Sequence, residues 1–218
     1  MEIAFPDAAN LGLFIAAAIA LLLTPGPAVL YIVTRSVEQG RTAGLVSTIG
    51  IHVGTLFHIA AATAGLSALL ASSAVAFAIV KYAGAAYLIY LGVRKLLSKP
   101  AGDGAAAPMA GRGRDLRRAF RDGVVVNLLN PKTALFFLAF LPQFVDLSRG
   151  AVPFQIAFLG FLFAALGLLS DSAYALAAGT AGQWIKRHRR YLSVERWVSG
   201  TIYIGLGLTA AFAGGGRK

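Results

Sequence analysis

Cysteine is absent from all 218 positions, which excludes disulfides, thiolate metal sites and thiol redox chemistry. Charge is scarce as well: Asp, Glu, Lys and Arg make up 13% of the chain, about half the share of an ordinary soluble domain. Acids are the scarcer kind, nine against 20 Lys and Arg. No His-Glu-x-x-His and no Gly-x-Ser-x-Gly occurs, so an intramembrane protease lacks its residues and no enzyme is expected. The chain also lacks a basic, cleavable leader: Met1 to Asn10 is short and carries Glu2 and Asp7, so the first apolar segment is expected to stay in the mature protein.

What is abundant is apolar. Hydrophobic residues reach 57% and the mean hydropathy is +0.71, the composition of an all-α integral membrane protein. Six runs are long enough, or nearly so, to cross a bilayer: Leu11 to Thr34, Leu45 to Leu70, Ala74 to Leu97, Gly123 to Val145, Phe154 to Ile185 and the shorter Trp197 to Ala213. A Gly-, Ala- and Pro-rich basic linker over residues 98–122 separates a first half, 1–97, from a second, 123–218. Three spans per half force the second half to lie upside down relative to the first, so a 3+3 inverted-topology repeat is the expected architecture.

The net charge of +11 would elsewhere suggest nucleic acid, but its placement predicts a lipid bilayer as partner and no nucleic acid. Fifteen of the 20 Lys and Arg fall in the first, third and fifth connections or the adjoining helix ends, Arg35 and Arg41 among them. The positive-inside bias makes those connections cytoplasmic and leaves both termini outside. Trp184 and Trp197 bracket the fifth connection, as interfacial tryptophans do.

Helices one and four are expected to be broken. Thr24-Pro25-Gly26-Pro27 carries two prolines inside an apolar run, and Asn127-Leu128-Leu129-Asn130-Pro131-Lys132 interrupts the fourth run. Broken backbone at membrane depth is tolerated only where protein buries it or a cavity is lined by it. Counting rise from Arg35 and Arg121 sets both breaks about 12–14 Å from the cytoplasmic side, where they can face each other.

Ionisable groups in these runs are expensive and point to function. Asp171 is the leading candidate for carrying a proton, with Ser170, Ser172 and Tyr174 beside it. Lys132 either contributes to a site or neutralises Asp171. Asn127 and Asn130 serve either a zwitterionic ligand or the carbonyls freed by Pro131. His52 and His58 lie about 120° apart around one helix, too far to share a metal ion, so no metal is expected. Either histidine could relay protons, with Glu38 a more remote candidate. Gly40, Gly44, Gly50 and Gly54 form small-xxx-small pairs and are expected to support close helix packing.

Together these residues resemble the LysE/RhtB family of amino-acid exporters. The resemblance rests on Thr24-Pro25-Gly26-Pro27 with Gly40-Arg41 and Gly44, on Lys81-Tyr82-Ala83-Gly84-Ala85-Ala86-Tyr87-Leu88 through Gly92, on Asn127-Leu128 with Asn130-Pro131-Lys132, and on Leu141-Pro142-Gln143-Phe144. Asp171 before Tyr174-Ala175-Leu176 also fits, so the markers cover nearly the whole chain. The resemblance implies a six-helix protein of the bacterial cytoplasmic (inner) membrane that exports amino acids or close derivatives in exchange for protons, without a cofactor. It leaves open which amino acid is carried and whether the chain forms a homo-oligomer. The alternative reading is a passive channel for a small solute, which has no need of a midplane acid and base.

Overall fold

The computed structural model describes residues 8–72, 74–97 and 115–187, with isolated positions between 197 and 208. The sixth apolar run, apart from those positions, and most of the linker lie outside the described residues. All regular structure among the described residues is helical. In chain order it comprises α1 (Ala8–Leu23), α2 (Pro27–Gln39), α3 (Arg41–Ser72), α4 (Ala74–Leu97), α5 (Leu116–Leu128), α6 (Pro131–Leu135) and α7 (Val152–Arg187). A π-helical turn, Phe136–Phe140, and a 3-10 turn, Leu141–Phe144, prolong α6.

Both breaks form where the prolines sit. Pro27 and Pro131 each occupy the first turn of a new helix, where a missing N–H costs nothing. The first break bends α1 against α2 by 49°, and the second bends α5 against the α6 segment by 45°. Gly26 is extended there, with φ −126° and ψ −170°, a conformation open to any residue. The prolines therefore break the helix, as the sequence leads one to expect, and Gly26 is not needed there for a left-handed backbone. Gly40, by contrast, has φ 89°, and this left-handed residue alone reverses the chain from α2 into α3. It is a turn residue rather than half of a packing pair.

Among the described residues, two helices are long and apolar enough to cross a membrane, within Arg41–Leu66 and Val152–Thr180, and each bent pair adds a span if counted as one. These four correspond to the second, fifth, first and fourth of the expected segments. The third segment forms α4, 24 residues long.

Helix α3 is the spine, packing against α5, α7 and α2. Its seam with α5 is drawn tight by glycines: a Cβ on Gly50 would stand 2.2 Å from the Phe120 carbonyl oxygen, and one on Gly123 2.8 Å from that of Ser47. The main apolar core is aromatic. Phe14, Phe136, Phe137, Phe140, Phe144 and Phe163 cluster between α1, α7 and the π-helical turn, with Phe136 and Phe163 stacked at 4.0 Å. A smaller core of Ile32, Ile51 and Ala175 lies between α2, α3 and α7.

Arg35 belongs to the helix end rather than to the connection, and its side chain is buried, 4% exposed, within α2. The helix continues to Gln39, so its 13 residues carry the first break about 20 Å from their far end, deeper than counting from Arg35 implied.

Candidate functional site

The two breaks meet. The Lys132 ammonium donates to the carbonyl oxygen of Thr24, bridging 108 positions of chain and joining one interruption to the other. Around this contact lies a cavity of about 40 Å³ whose walls include Gly26, Asn127, Asn130, Lys132, His52 and Asp171. Such a volume holds water but is far below the roughly 300 Å³ of a small-ligand pocket.

Freed carbonyls of the first break find partners. Thr24 folds back, its hydroxyl donating to Ala20 and its N–H to Leu21, while Tyr174 on α7 donates to Leu23 at 2.9 Å. Thr24 and Pro25 are buried, and Pro27 is exposed. On the other side of the break, the N–H groups of Ala28 and Val29 have no intrahelical acceptor, because they open α2. Both residues line the cavity, so the positive end of the α2 dipole faces it.

The second break is stapled by Asn127, which is 1% exposed. Its Nδ2 donates to the Ile51 carbonyl at 2.8 Å and to Thr55 Oγ1 at 2.9 Å, and its Oδ1 accepts from Thr133 at 2.9 Å and from Asn130 at 3.4 Å. A full set of partners makes Asn127 a joint between α3 and the break. Asn130 caps α6, its Oδ1 accepting from the Lys132 N–H. Pro131 starts the helix. His58 Nε2 lies 2.9 Å from the Asn127 carbonyl oxygen. Because a carbonyl only accepts, that nitrogen carries the proton and the ring repairs freed backbone, stacked on Phe137.

Asp171 has a different neighbour from the one charge alone suggested. Its Oδ2 lies 3.2 Å from His52 Nε2, both groups largely buried. Both ring nitrogens of His52 are buried without a hydrogen-bond partner, the contact to Asp171 being one of proximity, and Ser170 Oγ is likewise unpartnered. The imidazole is seated against Gly167, where a Cβ would come within 2.9 Å of its Cε1. The structure thus brings together a carboxyl, an imidazole, an ammonium and a helix N-terminus, and sends His58 to a separate task. Among the described residues, no group of three His, Asp or Glu is placed to hold a metal ion.

Sequence reasoning missed a second polar cluster on the α2–α5 seam. Arg35 Nη2 pairs with Asp122 Oδ2 at 2.8 Å, Arg35 Nε donates to Tyr31 Oη at 3.1 Å, and Tyr31 donates to the Ala119 carbonyl at 2.9 Å. One signal was present in the sequence: Tyr31 and Arg35, four apart after the first break, share a helix face. Thr55 and Thr133 were also missed, and nothing in their spacing distinguishes them from other membrane threonines.

Comparison with known proteins places the chain in a family. An uncharacterized membrane protein of Vibrio cholerae is 29% identical over 204 residues, covering 92% of this chain and 95% of its own. The uncharacterized membrane protein YrhP of Bacillus subtilis is 29% identical over 89% of this chain and 95% of its own. A homoserine/homoserine lactone efflux protein of Salmonella typhi is 31% identical over 194 residues, 88% of this chain and 91% of its own. No solved structure shows a significant match. The model of the LysE type translocators matches residues 19–214, from before the first break to near the C-terminus, and the chain belongs to that family.

Proposed function

We propose that this protein exports an amino acid or close derivative across the cytoplasmic membrane in exchange for protons, with the cavity between the two breaks as its central site. The observation that carries this reading is the pairing, on one small cavity, of the α2 N-terminus with the Asp171 carboxyl. A zwitterion needs both: N–H groups of Ala28 and Val29 for its carboxylate, an ionised acid for its ammonium. The efflux protein of Salmonella typhi, 31% identical, supports the substrate class.

Coupling follows from exclusion. An ionised Asp171 holds the substrate ammonium, and a protonated Asp171 releases it, so substrate and proton compete for one carboxyl. His52 at 3.2 Å is placed to pass that proton or to hold the empty carboxylate between cycles. Lys132 holds the breaks together and keeps a positive charge on the cavity wall when the acid ionises. Thr24, Pro25, Gly26, Pro27, Asn130 and Pro131 shape the site through their backbone, and Asn127 holds its frame. The two halves, each opening with a broken span, act as an inverted repeat about this cavity, with both termini outside.

Purified protein in vesicles, loaded with a panel of amino acids and given or denied a pH gradient, tests the reading. We expect efflux of one amino-acid class, accelerated by protons on the receiving side. Flux indifferent to the gradient would favour a passive channel.

A further inference from the structure

Resting on that exporter reading, we propose that Arg35 is a carboxylate-recognition residue on the cytoplasmic approach to the cavity, and that Asp122 occupies its guanidinium between transport events as an internal stand-in for the substrate carboxylate. Ala28, Tyr31 and Arg35 follow one another at helical spacing along a single face of α2. Ala28 lines the cavity, Tyr31 packs beside it against Ile51 and Ile32, and Arg35 completes the stripe away from the break. The stripe is tied to α5 by the Arg35–Asp122 pair at 2.8 Å and the Tyr31 bond to the Ala119 carbonyl at 2.9 Å. On this proposal substrate travels along the stripe and parts the seam before reaching the cavity, which as it stands holds only about 40 Å³.

The guanidinium is built for an exchangeable carboxylate. It is 4% exposed, oriented by the Tyr31 hydroxyl at 3.1 Å and lies 5.2 Å from the Tyr31 ring centre. Its present partner is the more open side, since Asp122 is 30% exposed. A buried arginine fork binds one carboxylate much like another, so an arriving substrate can replace Asp122 without leaving the guanidinium unpaired. The displaced Asp122 is not stranded either, because Arg118, one turn earlier on α5, already lies 3.5 Å from the same oxygen. Exchange would unfasten α5 from α2 only when substrate is present, which keeps an empty exporter from leaking protons.

Uptake of L-homoserine and of L-homoserine lactone into inside-out vesicles separates this role from a structural one, because the lactone has no free carboxylate. We expect Arg35→Gln to raise the homoserine KM by about tenfold to a hundredfold, the worth of a charge-assisted bond, and to leave the lactone KM within about twofold. Asp122→Asn should lower the homoserine KM, since the internal competitor is gone, and it keeps the proposal testable if Arg35→Gln fails to fold. A rise in KM with Asp122→Asn, or equal losses for both substrates with Arg35→Gln, overturns the proposal and leaves export standing. If the wild type moves neither compound nor any other amino acid, the exporter reading itself fails and takes this role with it.

Discussion

Asn127 and Asp171 are both buried and both polar, yet they have opposite claims on function. Every hydrogen-bonding position of the Asn127 side chain is filled by protein, so a substrate would have to displace a structural bond to use it. Asn127→Ala leaves the Thr133 hydroxyl without its acceptor and removes both ties to α3, and should destabilise by about 1–3 kcal/mol, seen as a lower unfolding temperature in detergent. Asp171 carries no such frame. Its substitution by Asn keeps shape and volume, so the unfolding temperature should stay within a few degrees while proton-driven export disappears. The two histidines divide likewise: His52→Gln should alter the pH dependence of export, and His58→Gln should leave its shape unchanged and lower stability, because His58 serves a carbonyl. These distinctions were only half legible in the sequence. Depth and charge singled out Asp171, Lys132, both asparagines and both histidines, but a carbonyl acceptor leaves no mark in a sequence. Which residue repairs backbone and which stays available therefore appeared only with the fold.

At the scale of elements, the chain is organised by where helices cannot continue and where they can approach. The prolines were a readable signal because losing an N–H has the same consequence in any context. The partner of Arg35 was not readable for the converse reason: its place near a helix end is marked by the sequence, but the approach of Asp122 from 87 positions away is not. Glycine close approaches were expected from small-xxx-small spacing, but their partners were not. Gly50→Ala should wedge α3 from α5 and destabilise by about 1–3 kcal/mol, because its Cβ would meet the backbone of Phe120, which cannot swing aside. Gly65→Ala on the same helix is the control. Nothing lies within 4 Å of its Cβ position, and thermal unfolding should show no loss.

At the scale of the whole molecule, the described helices meet around a small polar cavity with two unlike clusters near it. Phe163 of the aromatic cluster lines that cavity, and the polar seam of Tyr31, Arg35, Asp122 and Ala119 ties α2 to α5. On the exporter reading proposed above, loading takes place on the side where the positive-inside bias puts the basic connections. Reporter fusions after Lys218 and within residues 102–113 should therefore fall on opposite sides of the membrane; the same side would end the inverted-repeat reading. The central claim is that one carboxyl is shared by substrate and proton. Its most direct test is to follow internal pH with a trapped dye while an outward gradient of the exported amino acid is imposed on vesicles holding the wild type or Asp171→Asn. Substrate leaving the wild type should acidify the interior, and the variant, although folded, should give no pH change. Equal acidification by both, or substrate efflux from the wild type with no proton movement, would contradict the account.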